Sequence, residues 1–204
     1  MTSPARIYVV DDDEQMRTLL RRSLQSDYDV MCFASAKHFI EVAEALIPGC
    51  LILDVNMPEM SGLEVQRWLQ EKNLWFPIIM ITGMGQVNIA VEAMKAGAVD
   101  FVEKPFRREV ILDSVRLAQH RLISVSATGS DDARLAKLRL AKLSDRESEV
   151  LTGLVAGLPN KTIAYDLGLS PRTVEMHRAN LMKKTGAKSL SALVRMALLG
   201  NDKT

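Results

Sequence analysis

Residues 51 to 64 read LILDVNMPEMSGLE, and their order carries the fold. Leu51, Ile52 and Leu53 form a short unbroken apolar run, which suits a strand buried on both faces. Asp54 ends the run, and Ser61 with Glu64 then makes a capping box that opens a helix through Trp68. A buried strand leading into a capped helix is half of a strand–helix–strand crossover, the unit from which parallel sheets are built.

The same alternation extends in both directions. Residues 7–10, 29–33, 78–81 and 99–102 carry strand patterns, with helical spacing between them. Gly97 stands where a helix from Gln86 to Ala96 should stop, and a last helix covers about 106–122. Five such repeats with short connections predict a doubly wound α/β domain over residues 1–123, with a five-stranded parallel sheet in flavodoxin-like order 2-1-3-4-5 and right-handed crossovers.

Bulk properties agree with one such domain plus a smaller one. The chain has 204 residues, 48% hydrophobic and 25% charged, near globular averages. Its apolar runs fall far short of the ~18 residues needed to cross a bilayer, and the first ten residues lack an export pattern. The expectation is a cytoplasmic protein with no membrane partner. Cys32 and Cys50 have no CxxC spacing and read as inert core thiols. The net charge of +1 divides unevenly: residues 1–124 hold 13 basic against 17 acidic side chains, while residues 125–204 hold 13 against 8. A basic module joined to an acidic one points to nucleic acid as a partner of the second.

Past residue 123 the strand signals vanish. Ser124 to Ser130 is small and polar, and residues 124–142 read as a partly helical linker containing Leu135 and Leu138. A helical domain fills 143–204. Ser144 and Glu147 form another capping box before a helix to Ala156, and helices follow at 160–167, 171–184 and 189–199. Ser170 as N-cap with Pro171 at the first helical position is a strong start signal. Ile163, Ala164 and Leu167 can pack against Val174 and Leu181 across the turn at Gly168, the geometry of a helix-turn-helix.

In a doubly wound sheet, ligands bind outside the carboxyl ends of the strands, near the reversal of strand order. Those ends hold Asp11 and Asp12, Asp54, Thr82, and Lys104 followed by Pro105. Three crowded carboxylates resist ionising together unless a cation neutralises them, and Mg²⁺ suits a small oxygen site that keeps waters and accepts a phosphate. Lys104 supplies charge and Thr82 a hydroxyl for phosphate oxygens. Asp54 is then a plausible nucleophile toward a phosphoryl donor, forming an acyl phosphate. Asp13 and Asp100 read as cap or turn residues.

These segments resemble a known family. VVDDDE at 9–14, LILDVNMPEMSG at 51–62, MITG at 80–83 and DFVEKPF at 100–106 make residues 1–123 similar to the receiver domain of two-component systems. The resemblance implies that Asp54 accepts phosphate from a sensor histidine kinase. It implies that Asp11, Asp12 and Asp54, with the backbone carbonyl of Asn56, hold Mg²⁺, and that Thr82 and Phe101 form a switch pair. Asn56 stands where relatives often have arginine, and Met84 where they often have histidine; both bear on the lifetime of the phosphorylated state. Gly83 should leave the acceptor accessible.

Residues 143–199 resemble the LuxR-type helix-turn-helix of NarL/FixJ response regulators, and with the receiver type the likeness is to FixJ-like regulators. In such motifs the second helix enters the major groove of double-stranded DNA. Thr173, Glu175, Met176, His177, Arg178 and Asn180 are the candidate base contacts, and Lys161, Arg172, Lys183 and Lys184 the candidate phosphate contacts. Leu190, Leu193, Val194 and Ala197 make an apolar face that is either internal core or, as the family implies, a dimerisation surface. The resemblance implies a homodimer on phosphorylation that binds promoter half-sites and activates transcription, with RNA polymerase as a further partner it allows. The chain is expected to be a regulator and not an enzyme.

Three alternatives have their own signatures. A phosphohydrolase of the haloacid dehalogenase type shares the residue types but carries its nucleophile after the first strand. A phosphorylation-independent regulator would use the receiver only to dimerise. A ligand-sensing quorum regulator would lack the acidic constellation.

Overall fold

The structure is a computed structural model that describes residues 5–83, 87–123 and 129–201. The described residues form two compact units, one built on a sheet and one wholly helical.

The sheet unit contains β1 (Arg6–Val10), α1 (Glu14–Leu24), β2 (Asp29–Phe33), α2 (Ala36–Ala43), β3 (Cys50–Asp54), α3 (Gly62–Glu71), β4 (Ile78–Thr82), β5 (Asp100–Glu103) and α5 (Arg108–Ile123). All four pairings are parallel and the order is β2-β1-β3-β4-β5, as the sequence predicts. Every residue of β3 and β4 is buried, which requires helices on both faces and explains their unbroken apolar runs. The edge strand β2 alternates exposure instead.

On one face Ile7, Val9, Ile52, Ile79 and Ile81 pack with Leu20 and Leu24 of α1 and Ile111, Val115 and Ala118 of α5. On the other, Tyr8, Phe33, Phe39 and Phe76 form an aromatic cluster whose ring centroids lie 5.4–6.4 Å apart, in the tilted and edge-on arrangements that aromatic quadrupoles favour. The Tyr8 hydroxyl is satisfied by donating to the Ile47 carbonyl at 2.8 Å. Cys32 and Cys50 are free thiols, and burial pushes the Cys50 pKa up, as suits a core residue.

Helix α4 (Val87–Lys95) lies between β4 and β5 in sequence but groups with the helical unit, a division that the sequence reading does not foresee. The rest of that unit is α6 (Gly129–Leu140), α7 (Asp145–Val155), α8 (Asn160–Leu167), α9 (Pro171–Thr185) and α10 (Leu190–Asn201). Helix α6 occupies much of the segment read as a linker; residues 124–128 of that segment, like Met84, lie outside the described residues. Val150, Leu154, Ile163, Ala164, Val174, Leu181 and Leu193 form the core. Local chemistry sets the helix ends. Ser61 and Ser144 each complete a reciprocal capping box with Glu64 and Glu147. Gly168 closes α8 in the left-handed conformation at φ 64°, which a side chain would strain.

Candidate functional site

The sheet brings Asp11, Asp54, Thr82 and Lys104 to its carboxyl edge. Register explains why: Asp54 pairs with Ile81 and Thr82 with Glu103, so the ends of β3, β4 and β5 lie side by side, with β1 next to β3. Asp11 is 1% exposed, Asp54 4% and Thr82 2%, while Asp12 stands open to solvent.

The Lys104 ammonium bridges the two buried carboxylates, 3.0 Å from Asp11 Oδ2 and 3.0 Å from Asp54 Oδ1. Burial raises the Asp54 pKa, with Lys104 opposing and the charges of Asp11 and Asp12 adding to the rise. Burial works against the charged form of Lys104, but its bonds to Asp11 and Asp54 outweigh this and raise its pKa. One ligand oxygen from each of Asp11, Asp12 and Asp54 falls within 4.8 Å of the others. That spacing fits a divalent cation with oxygen ligands at 2.0–2.6 Å.

Residues absent from the sequence reading hold this edge in place. Arg17 of α1 donates through Nη1 to the carbonyls of Asp11 and Asp12, both at 2.8 Å, pinning the turn that carries the two carboxylates. Gly62 lies against the Asp54 backbone so closely that a Cβ there would collide with the Asp54 carbonyl oxygen. By contrast, a Cβ at Gly83 would meet, among the described residues, only Asn56 Nδ2, at 4.0 Å. Asp13 is the N-cap of α1, a cap role like the one expected. Asp100 does more than cap a turn: its carboxylate accepts the Phe101 N–H at 3.0 Å and the Ser114 hydroxyl at 2.7 Å, tying β5 to α5 beside half-buried Phe101. The side chain of Asn56 is exposed, as is that of Pro105.

In the helical unit, α9 sorts its residues into two stripes. Val174, Arg178, Leu181 and Thr185 follow one another at helical spacing, and all but Arg178 are buried. Arg172, Glu175, Met176, Ala179, Asn180 and Lys183 are exposed, Met176 to 53%. Ala179, missing from the sequence-predicted contacts, therefore shares the outer stripe with Met176 and Lys183; the i+3 and i+4 spacing from Met176 was the available signal. Lys161 of α8 is also exposed.

Four candidates lie off that stripe. Thr173 is half-buried and within hydrogen-bond distance of the cap Ser170, Oγ1 to Oγ 2.8 Å. His177 is half-buried. The Arg178 guanidinium donates to Asn160 Oδ1 at 2.9 Å. Lys184, expected at phosphate, is exposed and pairs with buried Glu147 at 2.7 Å; Lys184 together with Ser144 holds the Glu147 carboxyl at a pKa of about 2. On α10, Leu190 is half-buried, and Leu193, Val194 and Ala197 are 0%, 0% and 2% exposed. These three side chains are covered within the chain, in keeping with the internal-core alternative.

Comparison with known proteins meets this geometry from outside. Residues 7–116 match the family described as response regulator receiver domain, and residues 141–197 match bacterial regulatory proteins, luxR family. The transcriptional regulatory protein FixJ of Rhizobium meliloti is 50% identical over 195 residues, 95% of each chain. The response regulator protein TmoT of Ectopseudomonas mendocina is 44% identical, covering 93% of this chain and 86% of its own. Among solved structures, full-length FixJ from B. japonicum is similar with a TM-score of 0.59 at 43% identity, covering 97% of this chain and 98% of that one. With both domains matched in order and the sheet carrying its carboxylates beside Lys104, the chain belongs to the FixJ-like response regulators of the NarL/FixJ family, two-component proteins that control transcription.

Proposed function

We propose that Asp54 accepts a phosphoryl group from a sensor histidine kinase and that this event turns on DNA binding by α9. The observation that carries the reading is the convergence on Lys104 of two carboxylates, 1% and 4% exposed, from separate strand ends. An Asp54 carboxylate oxygen attacks phosphorus, and the bond from phosphorus to the donor imidazole nitrogen breaks, leaving an aspartyl phosphate. Lys104 offsets the charge on the phosphoryl oxygens, and the Thr82 hydroxyl donates to one of them. Mg²⁺, held by Asp11, Asp12, Asp54 and the Asn56 carbonyl, would supply further charge neutralisation there.

Occupancy of the site draws Thr82 and Phe101 inward and favours pairing of two chains through their receivers. Moving such an equilibrium from mostly off to mostly on takes about 5.5 kcal/mol of differential stabilisation, within reach of a new dianion meeting a lysine and a metal. Two copies of α9 then read promoter half-sites, with Glu175, Met176 and Asn180 toward bases and Lys161, Arg172 and Lys183 toward phosphates. The paired chain activates transcription, with RNA polymerase as its downstream partner.

Mass spectrometry with acetyl phosphate and Mg²⁺ tests the first step: wild type gains one phosphoryl group and Asp54→Asn gains none. Light scattering tests the second, since phosphodonor should shift wild type alone toward dimer. Equal dimerisation of the variant and wild type would end the proposal.

A further inference from the structure

We infer that Arg178 is a positioning residue for the recognition helix, acting through Asn160, and that it reads neither bases nor phosphates. The inference rests on the DNA-binding role proposed for α9.

Residue chemistry alone makes Arg178 an attractive base contact, because arginine pairs well with guanine. Its place on the helix contradicts this. Arg178 follows Val174 by four residues and precedes Leu181 by three, and both neighbours are 0% exposed. The three therefore lie along the seam that α9 presses into the domain core, while Glu175, Met176 and Ala179 occupy the exposed side. Arg178 is itself half-buried, and a guanidinium partly withdrawn from water is favoured where an acceptor meets it. Asn160 supplies the acceptor, its Oδ1 2.9 Å from Nη1.

Asn160 is the first residue of α8, a helix whose N-cap is Pro159 and makes no side-chain cap bond. The amide is thus free of capping duty and reaches across 18 residues of sequence to the middle of α9. Apolar contacts between α8 and α9 resist separation but tolerate sliding and rolling. A directional bond from the start of one helix to the midpoint of the other removes that freedom, so the outer stripe of α9 is presented at one fixed angle.

The test uses the full chain with Mg²⁺ and acetyl phosphate, and a duplex selected by wild type from a randomised pool. Variants are compared where circular dichroism shows each fully folded. Asn160→Ala and Arg178→Met should each weaken the selected duplex about tenfold, leave scrambled duplex within about twofold, and flatten base preference at all positions together. The double variant should be no weaker than the worse single, and Asn160→Asp, which keeps an acceptor, should stay near wild type. The inference is overturned if Arg178→Met loses preference at a single base pair while Asn160→Ala behaves as wild type. It is equally overturned if Arg178→Met weakens both duplexes alike and lowers the salt slope by about one while Asn160→Ala is silent. Where a variant fails to fold, side-chain NMR of wild type decides: the Arg178 guanidinium should show slow rotation without DNA and keep its shift on adding duplex, and free rotation without DNA overturns the inference. A wild-type chain that selects no duplex would remove the DNA-binding reading itself, a failure distinct from these.

Discussion

The Lys104 ammonium and the Asp54 carboxylate stand 3.0 Å apart although 50 positions of sequence separate them. Lys104 also reaches Asp11 at the same distance, so one ammonium bridges two buried carboxylates and offsets part of their charge. Removing it should expose their repulsion. Lys104→Met is expected to melt at lower temperature than wild type without divalent ions and to gain more from Mg²⁺, because a bound cation then replaces the lost charge. At a hundredfold excess over Kd, binding to the folded state alone adds about 2.7 kcal/mol. Thermal melts with increasing Mg²⁺ check this, and equal gains for both proteins would show that the metal does not replace the charge of Lys104.

Gly62 and Gly83 flank the same pocket with opposite tolerance. Gly62→Ala forces a methyl group onto the Asp54 backbone and should cost about 1–3 kcal/mol, together with slower incorporation of phosphate. Gly83→Ala meets none of the described residues closer than Asn56 Nδ2 at 4.0 Å and should stay within about 0.5 kcal/mol of wild type. Denaturant melts and phosphorylation time courses distinguish the two.

Glu147 should titrate far below a free glutamate. Its pKa is held at about 2, against about 4.3 unfolded. A depressed carboxylate contributes stability that is fully present above the unfolded value and is lost as pH falls through the folded one, so the window lies between roughly pH 4.3 and 2. Carbon-detected NMR of the side-chain carboxyl should show a midpoint near 2 in wild type and a higher one in Lys184→Met. A wild-type midpoint of 4 or above would mean that the ion pair does not form in solution.

Two adjacent lysines should behave differently on DNA. Lys183 is exposed on the outer stripe, whereas Lys184 is bound to Glu147. Lys183→Ala should lower the slope of log K against log salt by about 0.9 with base preference unchanged. Lys184→Ala should leave that slope nearly as it was and instead lower the melting temperature. Binding isotherms at several salt concentrations provide the comparison.

Much of the architecture was legible because burial leaves a plain signature. Strand β2 runs over the residues its pattern marks, while β1, β3 and β4 run on into Arg6, Asp54 and Thr82, where an apolar count stops but backbone pairing does not. The pocket was legible because a doubly wound sheet dictates where strand ends converge, and chemistry then singles out Asp11, Asp54, Thr82 and Lys104. Arg17 was not legible, since an arginine on an exposed helix looks the same whether it meets water or two carbonyls. On α9, Val174 and Leu181 were rightly read as inward, while the place of Arg178 on the line between them was not weighed beside its chemistry. For α10, periodicity reveals an apolar face but not whether its own chain or another covers it.

All four strand pairings are parallel, so no two neighbours are joined by a tight hairpin. Each contact between strands closes over a helix or a longer path, and Asp11, Asp54 and Lys104 come together only when the first, third and fifth strands have all been laid down. The phosphoryl chemistry proposed for Asp54 is therefore indivisible: a fragment ending before residue 100 lacks Lys104 and leaves β4 as a bare edge.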